Sequence, residues 1–266
     1  MKTSATLRYL ESHEVFTLDE YLGAVDPTVS ERTRYINLQN AIRRSQAYRI
    51  KRGLYASNLG VFRDRVPNVH LVAAKAADDA VVSHHSALEV HGVAHTPLRT
   101  VYYTSAQKIT AFAVRGYLIR RVALPALRAT QQLERFTTPV RAGTAVVPVS
   151  TRERTLVDCL RAPGKAGGLE ELLRSLGGFT SLSVDDVADY VGLLGSPTLA
   201  ARAGWTIELF EERWRIDPGD LEKLRVSLAG GTYWLVRGAA RGEARFVPRW
   251  RLYVPAGLPF EEWALG

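Results

Sequence analysis

Hydrophobic positions near the start of the chain recur at helical spacing and predict helices. The first helix is expected from Thr3 to Glu14, because Leu7 and Leu10 would share one side of it. Thr17 is the expected cap of a short second helix, since Glu20 stands at the capping-box position. Two helices are therefore predicted before the Asp-Pro pair at residues 26 and 27, which breaks the pattern.

A third helix is predicted with Ser30 as its N-cap, running to about Ser45. Its apolar side is expected to rest on a core, and consists of Tyr35, Leu38, Ile42 and Ser45. The opposite side collects Thr33, Asn37, Asn40, Arg43 and Arg44, with Arg32 at its edge. Amide and guanidinium groups can make bidentate hydrogen bonds to purine edges in the major groove of DNA. A helix that is apolar behind and rich in Asn and Arg in front is what a recognition helix requires.

A small β-hairpin is predicted directly after this helix, between Ala47 and Ala56. The strand formers Tyr48 and Ile50 come before a tight turn at which Gly53 can adopt a positive φ. The cationic side chains of this hairpin are Arg49, Lys51 and Arg52. They suit contact with phosphates or with the minor groove. Three helices followed by such a hairpin predict a winged helix-turn-helix over residues 1–62, although a winged helix that binds a protein stays open as the alternative.

The rest of the chain, residues 63–266, predicts a larger domain of mixed α/β character, so the expected fold class is α+β (mixed). Strands are expected at Thr100–Thr104, Tyr117–Ile119, Ala145–Val149, Tyr233–Val236 and Trp250–Val254. Helices are expected at Leu169–Leu176, Val184–Leu194, Thr198–Trp214 and Pro218–Leu228. A further helix to about Leu160 is predicted to begin with a capping box made by Ser150 and Glu153.

Charge is distributed unevenly and strengthens the prediction of nucleic-acid binding. The net charge is +8, and residues 31–65 hold nine Arg and Lys residues against two acidic residues. A localised basic block is the expected footprint of a phosphate-binding surface. Charge by itself also fits the arginine-rich surfaces of proteins from GC-rich genomes, so the interpretation depends on the helix and hairpin.

Composition favours a soluble protein of the cytoplasm. The single cysteine, Cys159, excludes an internal disulfide framework and cysteine-rich zinc modules, and fits a reducing compartment. The N-terminus has no apolar stretch like that of a signal peptide. No run approaches the roughly twenty apolar residues that a membrane span needs. We therefore expect no membrane association.

Residue clusters that could support catalysis are weak. His91 and His95 have the spacing of helical metal ligands, but Gly92 lies between them and Pro97 follows, so a polar helix end is the preferred interpretation. The other candidates are His84, His85, Asp78-Asp79, Glu170-Glu171, Asp185-Asp186 and a glycine-containing segment at 164–168. The acidic pairs are expected at helix starts, where the helix dipole favours them, and the glycines lack the spacing of a nucleotide-binding loop. The sequence therefore predicts no catalytic residue, no metal site and no cofactor, and Cys159 is expected to be a buried, inert thiol.

Several segments in order resemble the AbiEi family, the antitoxins of type IV toxin–antitoxin (abortive infection, phage defence) systems. The segments are Arg32–Leu38, Arg49–Ala56, Val81–Gly92, Ser150–Asp158 with Gly167-Gly168, Gly204–Glu208 and Arg249–Leu252. Val81–Gly92 is similar to the family's "S-x-x-SAL-x-x-HG" segment, and Ser150–Asp158 to its "S-x-x-RTLLD" segment. One departure is that Ser45-Gln46-Ala47 stands where the family usually has a glycine before the wing.

The resemblance implies a protein with two roles. The N-terminal winged helix would bind inverted repeats in its own promoter, as a monomer in solution or a dimer on DNA, and repress an antitoxin–toxin operon. The C-terminal domain, residues 63–266, would counteract a cognate nucleotidyltransferase-like toxin, directly or functionally. Two alternatives stay open: a DNA-targeted, restriction-like nuclease, and a stand-alone winged-helix transcription factor with no toxin partner.

Overall fold

Short segments of the N-terminal sequence fold into three helices and three strands. The computed structural model describes residues 4–124, 134–143, 145–236 and 243–265, and its fold is α+β. The first elements are α1 (Ala5–Ser12), β1 (Val15–Thr17), α2 (Leu18–Ala24), α3 (Glu31–Arg43), β2 (Ala47–Lys51) and β3 (Leu54–Ser57). The three strands form an antiparallel sheet in the order β1-β3-β2.

The predicted caps and turn in this region are confirmed. Thr17 and Glu20 form both hydrogen bonds of the capping box at the start of α2, and the Ser30 side chain accepts a hydrogen bond from the Thr33 amide. Gly53 adopts a φ of 78° in the turn of the hairpin. Local side-chain chemistry therefore fixes where these elements begin and end.

Three details of the predicted N-terminal region are wrong or incomplete. The first helix ends at Ser12, and Thr3, its predicted start, lies outside the described residues. Strand β1 was not predicted, because its three residues are too few to show a period. The core-facing side of α3 is made by Leu38, Ala41 and the half-buried Ile42, whereas Tyr35 is 42% exposed and Ser45 lies beyond the end of the helix.

Ser45 occupies a conformation that usually needs glycine. Its φ is 58°, in the left-handed region, and its carbonyl accepts a hydrogen bond from the Asn58 side chain at 2.8 Å. The adjacent Gln46 amide donates to the Ala41 carbonyl at 2.9 Å, which closes the end of α3. The replacement of the expected glycine by Ser45 therefore leaves the turn itself in place.

Contacts divide the chain into two compact units that are interleaved in sequence. One holds Met1–Val82, Arg99–Ala123 and Arg141–Val147, and the other holds Ser83–Leu98, Leu124–Val140 and Pro148–Gly266. The predicted domain boundary between residues 62 and 63 stays a prediction.

A six-stranded sheet follows the N-terminal elements. Its strands are β4 (Val81–Val82), β5 (Thr100–Ser105), β6 (Phe112–Val114), β7 (Tyr117–Ala123), β8 (Thr137–Ala142) and β9 (Ala145–Ser150). Their order across the sheet is β6-β7-β5-β4-β9-β8, with β5 and β7 parallel and β6 and β7 antiparallel. Helix α4 (Val69–Ala74) precedes β4, and Asp79 in the turn between them accepts hydrogen bonds from Ser105 and Ala106. The prediction that Asp78-Asp79 lies at the start of a helix is therefore wrong.

The second unit is mainly helical and contains the larger core. Its helices are α5 (His85–Val90), α6 (Arg152–Arg161), α7 (Leu169–Leu176), α8 (Val184–Leu194), α9 (Pro197–Leu209), α10 (Glu211–Trp214), α11 (Glu222–Arg225) and α12 (Phe260–Leu265). Three short strands, β10 (Tyr233–Trp234), β11 (Ala244–Val247) and β12 (Leu252–Pro255), form a sheet in the order β10-β12-β11. The predicted bounds of α7 and α8 are confirmed.

Several other predicted elements of this unit are wrong in detail. The expected helix from Thr198 to Trp214 is divided at Phe210, and the one expected from Pro218 to Leu228 keeps only Glu222–Arg225. The strand expected from Tyr233 ends at Trp234. The cap of α6 is Thr151, because the Ser150 hydroxyl bonds to Thr155 and the Glu153 carboxylate accepts from the Ser183 amide. Among the helices that the structure describes, none has the length and apolar character of a membrane span.

Gly204 allows α9 to pack against an aromatic ring, which generates a testable prediction. A Cβ atom at residue 204 would overlap the ring of Trp250, which is fully buried, whereas one at Gly192 in α8 would meet nothing within 4 Å. We expect Gly204→Ala to lower the free energy of unfolding by about 1–3 kcal/mol through overpacking. Gly192→Ala, the matched control, is expected to raise it by roughly 0.5–1 kcal/mol through helix propensity. Urea denaturation of both variants checks this, and an unchanged stability for Gly204→Ala would contradict the packing described.

Candidate nucleic-acid interface

The rotation of α3 about its axis is fixed by the side that faces the core. Leu38 is fully buried, in a cluster with the aromatic side chains of Tyr9, Phe16, Tyr21 and Tyr55. The Tyr21 hydroxyl donates to the carbonyl of Arg34 at 3.1 Å. Both contacts hold the same side of α3 against α1, α2 and the sheet, so the other side faces solvent.

Arg34 belongs to this inner side, although it counts toward the basic block of the sequence. Its guanidinium Nη1 donates to the carbonyls of Leu22 and Val25, at 2.5 and 3.2 Å. Those carbonyls lie at the end of α2, where no helical partner is left for them. Arg34 therefore joins α3 to α2 and does not contribute to an outer cationic surface.

The outward side of α3 brings together the residues predicted to contact DNA. Arg32, Thr33, Asn37, Arg43 and Arg44 are exposed, and Asn40 is half-buried. Within this set Arg43 Nη1 donates to Asn40 Oδ1 at 3.4 Å, and the Thr33 hydroxyl bonds to the Ser30 hydroxyl at 2.9 Å. The remaining hydrogen-bonding capacity of these amides and guanidinium groups points to solvent, where a polar ligand could meet it.

A groove of about 740 Å³ lies between α3 and the hairpin. Its lining residues are Leu18, Tyr35, Arg49, Ile50, Lys51, Arg52, Gly53 and Tyr55. Strand β2 contributes Arg49, which pairs across the hairpin with Tyr55, and the register of β2 shifts between Arg49 and Lys51. A groove with guanidinium groups at one wall and aromatic rings in it is suited to an anionic, partly apolar ligand such as a sugar–phosphate backbone.

Lys51 differs from the other predicted contacts. Its ammonium lies 5.8 Å from the centre of the Phe112 ring on β6, and burial lowers the pKa of this lysine while Asp78 acts against that shift. Arg49 and Arg52 are exposed. Lys51 therefore packs against β6. The guanidinium groups of Arg49 and Arg52 are the more accessible cations of the hairpin.

Two apolar residues of α3 were not predicted to lie at this surface. Tyr35 is 42% exposed and Ile36 is 48% exposed. Tyr35 was assigned to the core side because its spacing from Leu38 and Ile42 fits a single stripe. The exposure of Ile36 could have been predicted from helix geometry, because at about 3.6 residues per turn Ile36 lies opposite Leu38.

In the second unit, His84 and His85 are buried and His91 is half-buried, and all three make structural contacts, whereas His95 is exposed. His84 adopts a φ of 55°, which is strained for a residue other than glycine, and its Nδ1 lies 3.0 Å from the Ser83 hydroxyl. Burial lowers the pKa of His84 to about 4, so the ring is neutral at pH 7. His91 caps the end of α5 and its Nε2 bonds to the Ser150 carbonyl at 2.8 Å. The prediction that this segment ends a helix is confirmed.

Glu171 is the centre of a buried hydrogen-bond cluster. Its carboxylate lies 3.1 Å from His85 Nε2 and accepts hydrogen bonds from the hydroxyls of Thr96 and Ser175. Glu89 lies 3.4 Å from the other ring nitrogen of His85. Burial lowers the pKa of His85, but the contacts with Glu89 and Glu171 outweigh burial and raise it above its usual value. Burial would raise the pKa of Glu171, yet the hydrogen bonds, with Thr96 foremost, hold it below its usual value.

A second buried polar network involves α6. Arg154 is 1% exposed, and its Nε donates to Asp158 at 3.3 Å, while the Tyr190 hydroxyl donates to the other Asp158 oxygen at 2.9 Å. The neighbouring Cys159 is fully buried and burial raises the pKa of its thiol, as expected for an inert side chain. Among the described residues, no three His, Cys, Asp or Glu side chains converge as metal ligands would. These polar groups satisfy one another and hold helices together.

Comparison with solved structures gives a likeness of fold. The crystal structure of the RV2827C protein from Mycobacterium tuberculosis matches this chain with a TM-score of 0.60 and 14% sequence identity, over 94% of this chain and 90% of that one. No protein-family model and no curated protein matches the sequence. At such low identity the likeness shows the fold alone, since one fold can serve many functions.

The buried pair of His85 and Glu171 predicts a pH-dependent contribution to stability. The pKa of His85 is raised above its ordinary 6.5, so protonation of His85 stabilises the folded state. This stabilisation is complete below pH 6.5 and is lost as the pH rises through the pKa of His85 in the folded state. The lowered pKa of Glu171 keeps this carboxylate ionised above its ordinary 4.5. We expect His85→Gln to lower the free energy of unfolding by about 3 kcal/mol at pH 5.5, the cost of breaking a buried pair, and by less at pH 8.5.

Urea denaturation of wild type and of His85→Gln at pH 5.5 and pH 8.5 measures how much stability the substitution costs at each pH. His95→Gln is the matched control for loss of an imidazole, because His95 is exposed in the same segment. A cost of His85→Gln that is equal at both pH values, or larger at pH 8.5, would show that the pair is not charged.

Proposed function

We propose that this protein is a DNA-binding transcriptional autorepressor and antitoxin of a type IV toxin–antitoxin system, acting in the cytoplasm. The observation that carries the DNA-binding role is the unpaired state of the cations on α3 and the hairpin. Among the described residues, no carboxylate lies within ion-pair distance of Arg32, Arg43, Arg44, Arg49 or Arg52. Exposed and uncompensated cations on one surface favour a polyanion.

Some cations of the second unit differ from this set because they have carboxylate partners. In the second unit Arg135, Arg174 and Lys223 each lie within 3.0 Å of a carboxylate. Ordinary solvated surfaces mix the two signs of charge in this way. The surface of α3 and the hairpin does not, and it adds amide side chains that can recognise base edges.

The order of elements supports a winged helix-turn-helix. The succession α1-β1-α2-α3-β2-β3 contains three helices followed by a β-hairpin, and the strand β1 adds a third strand to the hairpin in the order β1-β3-β2. In this proposal α3 enters the major groove and the hairpin forms the wing beside it. The ligand is double-stranded operator DNA with inverted repeats, bound by a protein that is monomeric in solution or dimeric on DNA.

The antitoxin role rests on the resemblance to the AbiEi family. Two of the segments that carry it, Val81–Gly92 and Ser150–Asp158, supply His84, His85, Arg154 and Asp158 to buried networks. These residues would maintain the framework of the second unit, and a cognate nucleotidyltransferase-like toxin would be counteracted by that unit, directly or functionally.

DNA recognition by α3 predicts that specific binding depends on Asn40 and Arg43. We expect Asn40→Ala and Arg43→Ala each to weaken binding to the DNA upstream of the gene by about 10- to 100-fold, since a bidentate base contact contributes roughly 1–3 kcal/mol. Binding to a scrambled duplex of equal length should fall less. Fluorescence anisotropy at a fixed salt concentration measures both affinities.

Arg120→Ala is the matched control for that experiment, because Arg120 is an exposed arginine on β7 and belongs neither to α3 nor to the hairpin. An equal loss of affinity for Arg120→Ala would show that binding is general attraction between charges. Cleavage of the DNA in the presence of magnesium would instead support the nuclease alternative.

The two roles are expected to separate genetically. The proposal places a nucleotidyltransferase-like toxin gene beside this one; when that gene is expressed from an independent promoter and arrests growth, the full chain should restore growth. The Asn40→Ala/Arg43→Ala variant should restore growth equally well while failing to repress a reporter under the native promoter. Repression without any restoration of growth would leave a stand-alone transcription factor and exclude the antitoxin role.

A further inference from the structure

Ile36 is an exposed apolar residue at the centre of the outward side of α3. Nearly half of its surface, 48%, is accessible, whereas Leu38 is fully buried. At about 3.6 residues per turn, Ile36 lies about 200° around the helix from Leu38. It therefore points directly away from the core and cannot be explained as part of the packing that holds α3.

The residues next to Ile36 are those with DNA-reading chemistry. Thr33 precedes it by one turn and Asn40 follows it by one turn, and both share its side of the helix. Arg43 continues the same row and donates to Asn40 at 3.4 Å. An apolar side chain is thus surrounded by groups that suit base edges and phosphates, and no carboxylate forms an ion pair with the arginines of this surface in the described part of the chain.

In the major groove, one base presents an apolar group to such a side chain. Thymine carries a C5-methyl group there, beside the acceptor O4, and guanine, cytosine and adenine carry no methyl group. Burying an exposed isoleucine against that methyl group removes apolar surface of both partners from water. A protein partner would also bury Ile36, but arginines without carboxylate partners around it favour a polyanion such as DNA.

We propose that Ile36 contacts the C5-methyl group of a thymine in each operator half-site, one base step from the base read by Asn40. This inference rests on the proposed DNA-binding function and adds a specificity-determining residue to it. The half-site then carries an A·T pair at that step, selected by the methyl group and not by hydrogen bonds.

The test isolates the methyl group by replacing thymine with uracil. Duplexes enriched by the purified full chain from a random-sequence pool are synthesised again with deoxyuridine in place of individual thymidines. At one position per half-site we expect wild-type affinity to fall about fourfold, the effect of one buried methyl group at about 0.8 kcal/mol. The Ile36→Ala variant should bind the thymine duplex several-fold more weakly than wild type and show no further loss with uracil at that position.

Controls keep the outcomes separate. Ile36→Val should retain part of the discrimination between thymine and uracil, and an unchanged thermal unfolding curve for Ile36→Ala confirms that its fold is intact.

Wild-type binding that no single uracil weakens overturns this inference and leaves DNA binding in place. An equal uracil effect in wild type and Ile36→Ala also overturns it, because another residue then reads the methyl group. Failure of the pool to enrich any sequence overturns the proposed sequence-specific binding and this inference with it.

Discussion

The fixed rotation of α3 is the constraint on which the proposed interface depends. Leu38 anchors the helix in an aromatic core, and Arg34 ties it to the carbonyls that end α2. A turn of the helix by one residue position, about 100°, would bring Asn37 into the place of Leu38 and carry Leu38 toward solvent. One buried leucine and one half-buried arginine thus decide which side chains can meet a ligand, although both face the interior.

The sequence was sufficient to predict α3, its N-cap and its outward polar residues, because helical period and capping are local properties. The sequence was not sufficient to predict which residues of α3 face the core. Tyr35 fits the apolar stripe, yet the core lies nearer to Ala41, since Tyr21 and the sheet approach α3 from that direction. The spacing of apolar residues locates the apolar side of a helix only to within about half a turn. Tertiary packing then decides which residues at the edge of that side are buried.

In the second unit, polar residues were harder to interpret than apolar ones. Glu171 was expected to be a dipole-favoured acid at a helix start, and it lies there, in the first turn of α7, but it also holds His85 from a distant segment. Glu153 was expected to cap α6, and it accepts instead from the Ser183 amide. Both roles depend on partners 30 or more positions away, with separations of 86 and 30 residues, so no local pattern could have revealed them.

Gly204 and Trp250 pack so closely that a larger side chain at residue 204 is expected to require a smaller one at residue 250. A larger residue at 204 is tolerated only if the indole at 250 is replaced by something smaller, and the buried indole also hydrogen bonds to Glu208, one turn along α9. Replacement of either residue alone should therefore lower stability, by overpacking at 204 or by a cavity at 250, whereas a paired replacement can conserve the packed volume.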